Sequence, residues 1–550
     1  MKADKIIKNA KIYTSDRFKP IASAMAVKDG KFVYVGDEAG LADYEGEVTD
    51  LGGKFIMPGI IDSHLHITSG VAFEYAEMGE VITIDGKQAI LDFIADYIQN
   101  HPGLERYRFK LEKKRLRGEN LAKEDLDAIC QGAEIQILEG ENHSTWVNSK
   151  ILEKHGITDE SPDPVPSLSF YVRKDGHVTG NLMEITAQVP ILFDSAMDYT
   201  DEQIDAALQR WIDFSVSHGI TGCFDAGNPA IHDFEERVYD HLKAFDEQGK
   251  LPIHVEGCYV VAAKWEVEQG LKELKRYREK YNTENMKINT MKIFMDGTQT
   301  IHTAAMVTPY EGTNDVGGMA FNKEDLAEVI KKLNAEGLDL HLHTIGERSS
   351  RTALDAVELA RKDLGDDFRV RVTCAHLEIQ DDADLGRFAK LGVTANFTPH
   401  WHAGDINFYS TTIGDRASKM FRCKTLWDTG ALVTWSSDNV AFADFVTWNP
   451  YLCMEVGMTR QITEKTNGYD YTRIPTPFPP SSEQMGIGEM ILGYTINGAK
   501  QLGIEDRKGS IEAGKDADYL VFDEDLLTAE HEGFSYVLPA EVYYVGKKIK

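Results

Sequence analysis

Residues 57–67 read MPGIIDSHLHI, a turn followed by a short strand that carries two imidazoles. On an extended chain successive side chains point to opposite faces, so Asp62, His64 and His66 lie together. Upstream, short apolar runs alternate with turns: IIKNAKIYT, then AMAVKDGKFVYVG with Asp29-Gly30 at the bend. Period-two spacing around Asp-Gly is a hairpin signal, so a small β domain precedes the strand and ends near Pro58-Gly59. Downstream, short apolar strands alternate with charged helical stretches, the pattern of βα units on a parallel sheet.

Seven further strands of this texture follow: GITGCFDAG from Gly219, LPIHVEGCYVV from Leu251, INTMKIFMDG from Ile288, LDLHLHTIG from Leu338, RVRVTCAH from Arg369, VTANFTPHW from Val393 and ALVTWSSDN from Ala431. Eight strands with helices between them predict an α/β fold, a (β/α)8 TIM barrel with its active site at the C-terminal strand ends. Roughly 145 residues separate the first two strands, far more than a βα unit needs, so an insertion at about 74–215 is expected to cap the barrel mouth. Within it Arg106, Arg108, Lys110, Lys113, Lys114, Arg115 and Arg117 form a basic run interleaved with apolar residues. Such a run reads as a solvated helix or loop face. Near Pro475, Pro477, Pro479 and Pro480 the chain leaves the barrel, and strand-like SIEAGKDADYLVFDED and EVYYVGKKIK close it. The expected organisation is a barrel over 57–465 and a composite β-sandwich from 1–56 and 466–550.

The 550 residues include 89 Asp plus Glu against 59 Lys plus Arg, a net charge of -30. A field of that sign repels phosphate backbones and anionic membranes, which excludes nucleic acid and membrane surfaces as expected partners. A small-molecule substrate remains, and a homo-oligomer is compatible with it. Six cysteines without a CxxC pair read as reduced core thiols. No signal-like segment and no run of about 18 apolar residues occurs, so a cytoplasmic location is expected.

The strand ends carry the chemistry. A His-x-His pair alone describes a satisfied core as well as a metal site. Lys292, flanked by apolar neighbours on the fourth strand, is costly to bury unless neutral or paired. Reaction with carbon dioxide would turn it into a carbamate anion able to bridge two metal ions. His343 lies near the C-terminal edge of the fifth strand, His376 at that of the sixth and Asp438 at that of the eighth. Five strands thus end in metal-ligand residue types where barrel enzymes place their chemistry. Imidazole and oxygen donors suit Zn2+ or a similar divalent ion, one or two per chain with two favoured. Such a centre supplies metal-bound hydroxide as nucleophile, with Asp438 as the general base and acid that moves its proton. No GxSxG, GxxxxGK[ST] or HExxH motif supports a competing chemistry.

These residues resemble the amidohydrolase superfamily, and within it the YtcJ-like branch that includes N-substituted formamide deformylases. The resemblance rests on MPGIIDSHLH, GITGCFDAG, MKIFMDGTQTIHTAAM, HLHTIGERSSRTALDA and SSDNV in the barrel. In the insertion it rests on HSTWVNSKIL and GHVTGNLMEI, and at the C-terminus on INGAKQLGIEDRKGSIEAGKDADYLVFD. It implies a metal pair bound by His64, His66, Lys292, His343, His376 and Asp438, with Lys292 carboxylated. Two departures from the family pattern, Glu347 in Gly-Glu-Arg and Ala375 before His376, bear on ligand orientation. His143, in a branch-shared segment, is expected to contact substrate; His400, Trp401 and Trp146 are candidate pocket walls. The implied activity is hydrolysis of a C–N bond other than a peptide bond, in an amide, N-acyl or N-formyl group. The alternatives are a mononuclear deaminase using His64, His66, His343 and Asp438, and a catalytically silent scaffold of the same fold.

Overall fold

In the computed structural model, which describes residues 1–76, 79–140, 142–442, 448–463 and 476–550, eight strands pair side by side in chain order. They are Ile60–Leu65, Ile220–Asp225, His254–Val261, Met286–Phe294, Asp339–Thr344, Val372–His376, Thr394–Phe397 and Val433–Trp435. Every ladder between them is parallel. The eighth strand meets the first through individual bonds. Ser63 Oγ donates to the Trp435 carbonyl at 2.7 Å, and the Asp438 amide donates to the His64 carbonyl at 2.8 Å. The TIM barrel read from the strand pattern is therefore the fold.

Helix caps set where the strands begin. Thr200 caps Asp201–His218 with a reciprocal Gln203 bond, and Gly219 ends it at φ 77, a left-handed turn that glycine adopts without a Cβ clash. Asn322 caps Lys323–Glu336 by accepting from the Asp325 amide, and Gly337 at φ 64 delivers the chain to the fifth strand. Outward residues such as Met291, Ile293, Leu340, Leu342 and Cys374 are fully buried against these helices. The inward positions are the polar ones.

Both termini meet in one β layer. Tyr519–Phe522 pairs antiparallel with Phe55–Pro58, the strand that leads directly into the first barrel strand. A second sheet, built from Lys2–Lys8, Ala24–Lys28, Lys31–Gly36 and Glu45–Asp50, shares with it a core that includes Ile7, Met25, Phe32, Ile56 and Tyr519. The stretch expected to be entirely β first forms helices between Ile487 and Leu502, which pack on the first and eighth barrel strands. The boundary expected at 465/466, and Pro475, lie outside the described residues.

The insertion is a six-stranded sheet with its own apolar core. Its expected limit near 215 falls inside Asp201–His218, which packs on the second barrel strand. Only the second half of the basic run is a solvated face: Lys114 and Arg117, in and just after the short helical turn Lys113–Leu116, are exposed, whereas Arg106–Leu111 is an interior strand of this sheet. Tyr107, Phe109 and Leu111 enter the core, while Arg106 donates to Glu134 at 2.6 Å and to both Asp194 oxygens at 2.8 and 2.7 Å. The alternation of charged and apolar residues was the strand signal. All six cysteines are free thiols, five of them buried. Among the described residues no helix is long and apolar enough to cross a membrane.

Arg106→Met leaves Glu134 to Lys154, and Asp194 to Lys154 and His155, and is expected to cost the insertion about 1–3 kcal/mol. The loss should appear as faster hydrogen exchange in residues 106–111 and 134–139. Hydrogen bonds and charge from His155, Arg106 and Lys154 hold the Asp194 carboxyl well below the usual carboxylate range despite its burial. That contribution is present above the unfolded pKa of about 4 and disappears as pH falls below it. Exchange in these strands should therefore accelerate on acidification below about pH 4 in the wild type.

Candidate metal centre

The first strand ends with His64 and His66, both buried, and the turn after the eighth strand brings Asp438 onto them. Asp438 Oδ1 lies 3.2 Å from His64 Nε2 and 3.3 Å from His66 Nε2. One donor atom from each of the three lies within 4.8 Å of the others. His66 donates its Nδ1–H to the Gly227 carbonyl at 2.7 Å, which leaves the Nε2 lone pair facing Asp438. Opposite this lobe stand His343 and His376, with ring centroids 4.7 Å apart and His376 4.9 Å from His64. Lys292 reaches the same interior from the fourth strand and is fully buried. Its Nζ sits 5.0 Å from the Phe294 ring and has no hydrogen-bond partner among the described residues.

Burial sets the electrostatics. It pushes the Lys292 amine down to about 8, against the opposing charge of Asp438. It also holds His64 and His376 well below the usual histidine range, helped at His64 by the charge of Lys292 and at His376 by that of His343. Asp62 lies on the first strand and Asp225 ends the second; burial raises their carboxyls to about 7 and about 6. His64 Nε2, Lys292 Nζ, His376 Nδ1 and Asp438 Oδ1 are all buried without a hydrogen-bond partner among the described residues. A protein interior rarely leaves such atoms unsatisfied. Neutral imidazole lone pairs and a carboxylate converging on one small volume fit a divalent cation as the missing partner.

Two ligand positions carry backbone strain. His376 has φ 77 and Asp438 has φ 49, left-handed values that cost a non-glycine residue of order 1–3 kcal/mol. The Leu377 amide bond to the Thr344 carbonyl, at 2.9 Å, fixes the first, and the Asp438 amide bond to His64 fixes the second.

His143 arrives from the insertion. Its ring lies 5.9 Å from that of His343, and its Nδ1–H donates to Glu184 Oε2 at 2.6 Å. Glu184, buried with φ 68, also accepts from the Thr303 hydroxyl and from the Thr298 amide at 3.3 Å. Trp401 stacks on His376 at 5.2 Å, so it lines the centre. His400 touches the edge of Trp401, with its Nδ1 3.6 Å from Cys453 Sγ. Trp146 is no pocket wall: it is 1% exposed, inside the core of the insertion. Of the two departures from the family pattern, Glu347 pairs with Arg416 at 3.0 Å and Ala375 is buried.

Several residues without an assigned role prove to brace the centre. Asp296 accepts from the amides of Ala305, Ile345 and Gly346 at 2.9, 3.0 and 2.9 Å and from the Ser349 hydroxyl at 2.8 Å. Its other oxygen edge lies 3.4 Å from His343 Nδ1. The sequence signal for Asp296 is its place on the same strand face as Lys292. Glu184 carries no comparable periodicity.

A family model described as "Amidohydrolase family" matches residues 47–549. YtcJ of Bacillus subtilis, a protein named as an amidohydrolase, is 25% identical over 94% of this chain and 93% of its own length. N-substituted formamide deformylase of Arthrobacter pascens is 26% identical over 95% of this chain and 94% of its own. The crystal structure of an uncharacterized metal-dependent hydrolase from Pyrococcus horikoshii superposes with a TM-score of 0.66 at 20% identity, covering 96% of this chain and 99% of that one. This last likeness is one of fold.

Asp296→Ala leaves three buried amides without an acceptor, while the Ser349 hydroxyl keeps the Gly346 carbonyl, and is expected to cost about 3 kcal/mol. Thermal unfolding measures the loss, and hydrogen exchange should locate it at the amides of residues 305, 345 and 346.

Proposed function

We propose, from the premise that the chain belongs to the amidohydrolase family, that it is a metal-dependent hydrolase cleaving a C–N bond in an N-acyl or N-formyl amide. The observation that carries this is the buried convergence of His64, His66 and Asp438 beside His343, His376 and Lys292. The name of the deformylase relative supports the substrate class. Zinc suits the donor set, and a bound divalent ion acidifies water and polarises a carbonyl.

The residues divide the work. Lys292, with its amine pushed down to about 8, keeps a usable neutral fraction near pH 7. Its nitrogen adds to the carbon of carbon dioxide and loses a proton, giving a carbamate. That anion would supply oxygen donors to a divalent metal centre, which His64, His66, His343, His376 and Asp438 would hold together with it. Asp438 Oδ1 takes the proton of the attacking water and passes it to the leaving nitrogen. His143, oriented through Nδ1 by Glu184, contacts the substrate, with Trp401 and His400 as further walls. The ligand is a small molecule, with no nucleic acid or membrane partner, and the enzyme is a cytoplasmic protein.

A one-metal deaminase is the second reading, favoured by the tight grouping of His64, His66 and Asp438. Metal analysis and mass spectrometry of the native protein separate the two. Two ions per chain and a carbon dioxide adduct on Lys292 are expected; one ion and an unmodified lysine would sink the binuclear mechanism. In a screen of N-acylated amines, lactams and cyclic imides, Asp438→Asn is expected to lower kcat about 10²–10⁴-fold. Unchanged turnover with metal still bound would remove Asp438 as the proton carrier.

A further inference from the structure

The ligand histidines of the first strand are held differently from behind. His66 is fixed by a backbone carbonyl, Gly227, which can only accept. His64 has no such carbonyl. Its Nδ1 lies 2.9 Å from His341 Nε2, so two imidazoles share one hydrogen bond. Such a bond needs one nitrogen to donate and the other to accept, so two arrangements with one proton on each ring satisfy it. In one, His341 donates from Nε2, and the His64 proton then sits on Nε2, aimed at His66 and Asp438 where a cation belongs. In the other, His64 donates from Nδ1, its Nε2 lone pair is available, and the His341 proton sits on Nδ1.

The surroundings of His341 favour the second arrangement. Its ring is 2% exposed and stacked on Phe224 at 4.5 Å, which fixes its plane. It also lines a small cavity at the N-terminal end of the barrel with Glu256, Thr290, Asp339, Arg371, Thr373 and Gln501, where Arg371 is taken up by Asp339. The other five side chains each offer an oxygen acceptor for an N–H, directly or through one water. We infer that His341 is a positioning residue for the metal centre: it accepts the Nδ1–H of His64 and so turns the His64 Nε2 lone pair toward the metal. The acceptors at the base of the barrel select the His341 tautomer, and His341 selects that of His64. This inference rests on the metal reading above.

Zinc affinity, measured by competition with a chelating indicator, tests it. His341→Met removes the acceptor and is expected to weaken zinc binding about 10–100-fold. His341→Gln, whose side-chain oxygen can replace Nε2 as acceptor, is expected to recover most of that affinity. The visible spectrum of the cobalt-loaded protein should change in the Met variant and stay close to wild type in the Gln variant. The melting midpoint of each variant in chelator reports folding apart from the metal, and His341→Leu replaces the Met variant if that one does not fold. Wild-type affinity in the Met variant, or equal weakening in both, would overturn the positioning role. A wild-type protein that takes up no zinc or cobalt would overturn the metal reading itself, whatever the variants do.

Discussion

Lys292, His64, His343 and His376 share an interior that solvent scarcely reaches, and the removal of these groups from water governs the arrangement around them. Burial favours their neutral forms, so the imidazoles present lone pairs and Lys292 gives up its proton more readily than an exposed amine. A set of lone pairs facing one another is unfavourable on its own, and it becomes favourable when a cation gathers them. Three of the groups are braced by hydrogen bonds, His66 by Gly227, His64 by His341 and Asp438 by its own amide bond to the first strand, and Asp296 lies 3.4 Å from His343. The strained φ angles at His376 and Asp438 belong to the same pattern, because only a rigid frame keeps a non-glycine residue in that region.

The insertion and the barrel are joined at the segment after the fourth strand. Asp296 at its start binds the amides of residues 305, 345 and 346, while Thr298 and Thr303 within it bind Glu184 of the insertion. One short loop thus receives both the carboxylate beside His343 and the carboxylate that orients His143. There is no room to loosen it: a Cβ on Gly297 would lie 2.0 Å from Glu184 Oε1. The position of His143 over the metal lobe is in this way tied to the backbone that carries Lys292.

The barrel and the convergence of most of the candidate site residues were legible because strand geometry is local. Period two places His64 with His66, and a strand's last inward residue faces the mouth, which singles out His343, His376 and Asp438. The same rule applied to Arg106–Leu111 would have revealed a strand, but the density of charge there suggested solvent instead. The partners of those positive charges, Glu134 and Asp194, lie far along the chain and leave no mark on the run itself. Glu184 meets Thr303, and His341 meets His64, only because the chain folds back across the barrel. No spacing within a segment encodes such contacts. Trp146 illustrates the converse: its position beside His143 suggested the pocket, yet strand alternation turns its ring into the core of the insertion.

The pairing of Tyr519–Phe522 with Phe55–Pro58 has a consequence for the order of folding. Phe55–Pro58 runs straight into the strand that leads to His64 and His66, and its neighbour in the sheet lies beyond all eight barrel strands in the sequence. Contacts of such long sequence separation form late and slowly. The middle strands of the barrel can collapse around one another early, while the first strand waits for its flanking support, so His64 and His66 are among the last side chains to be set in place.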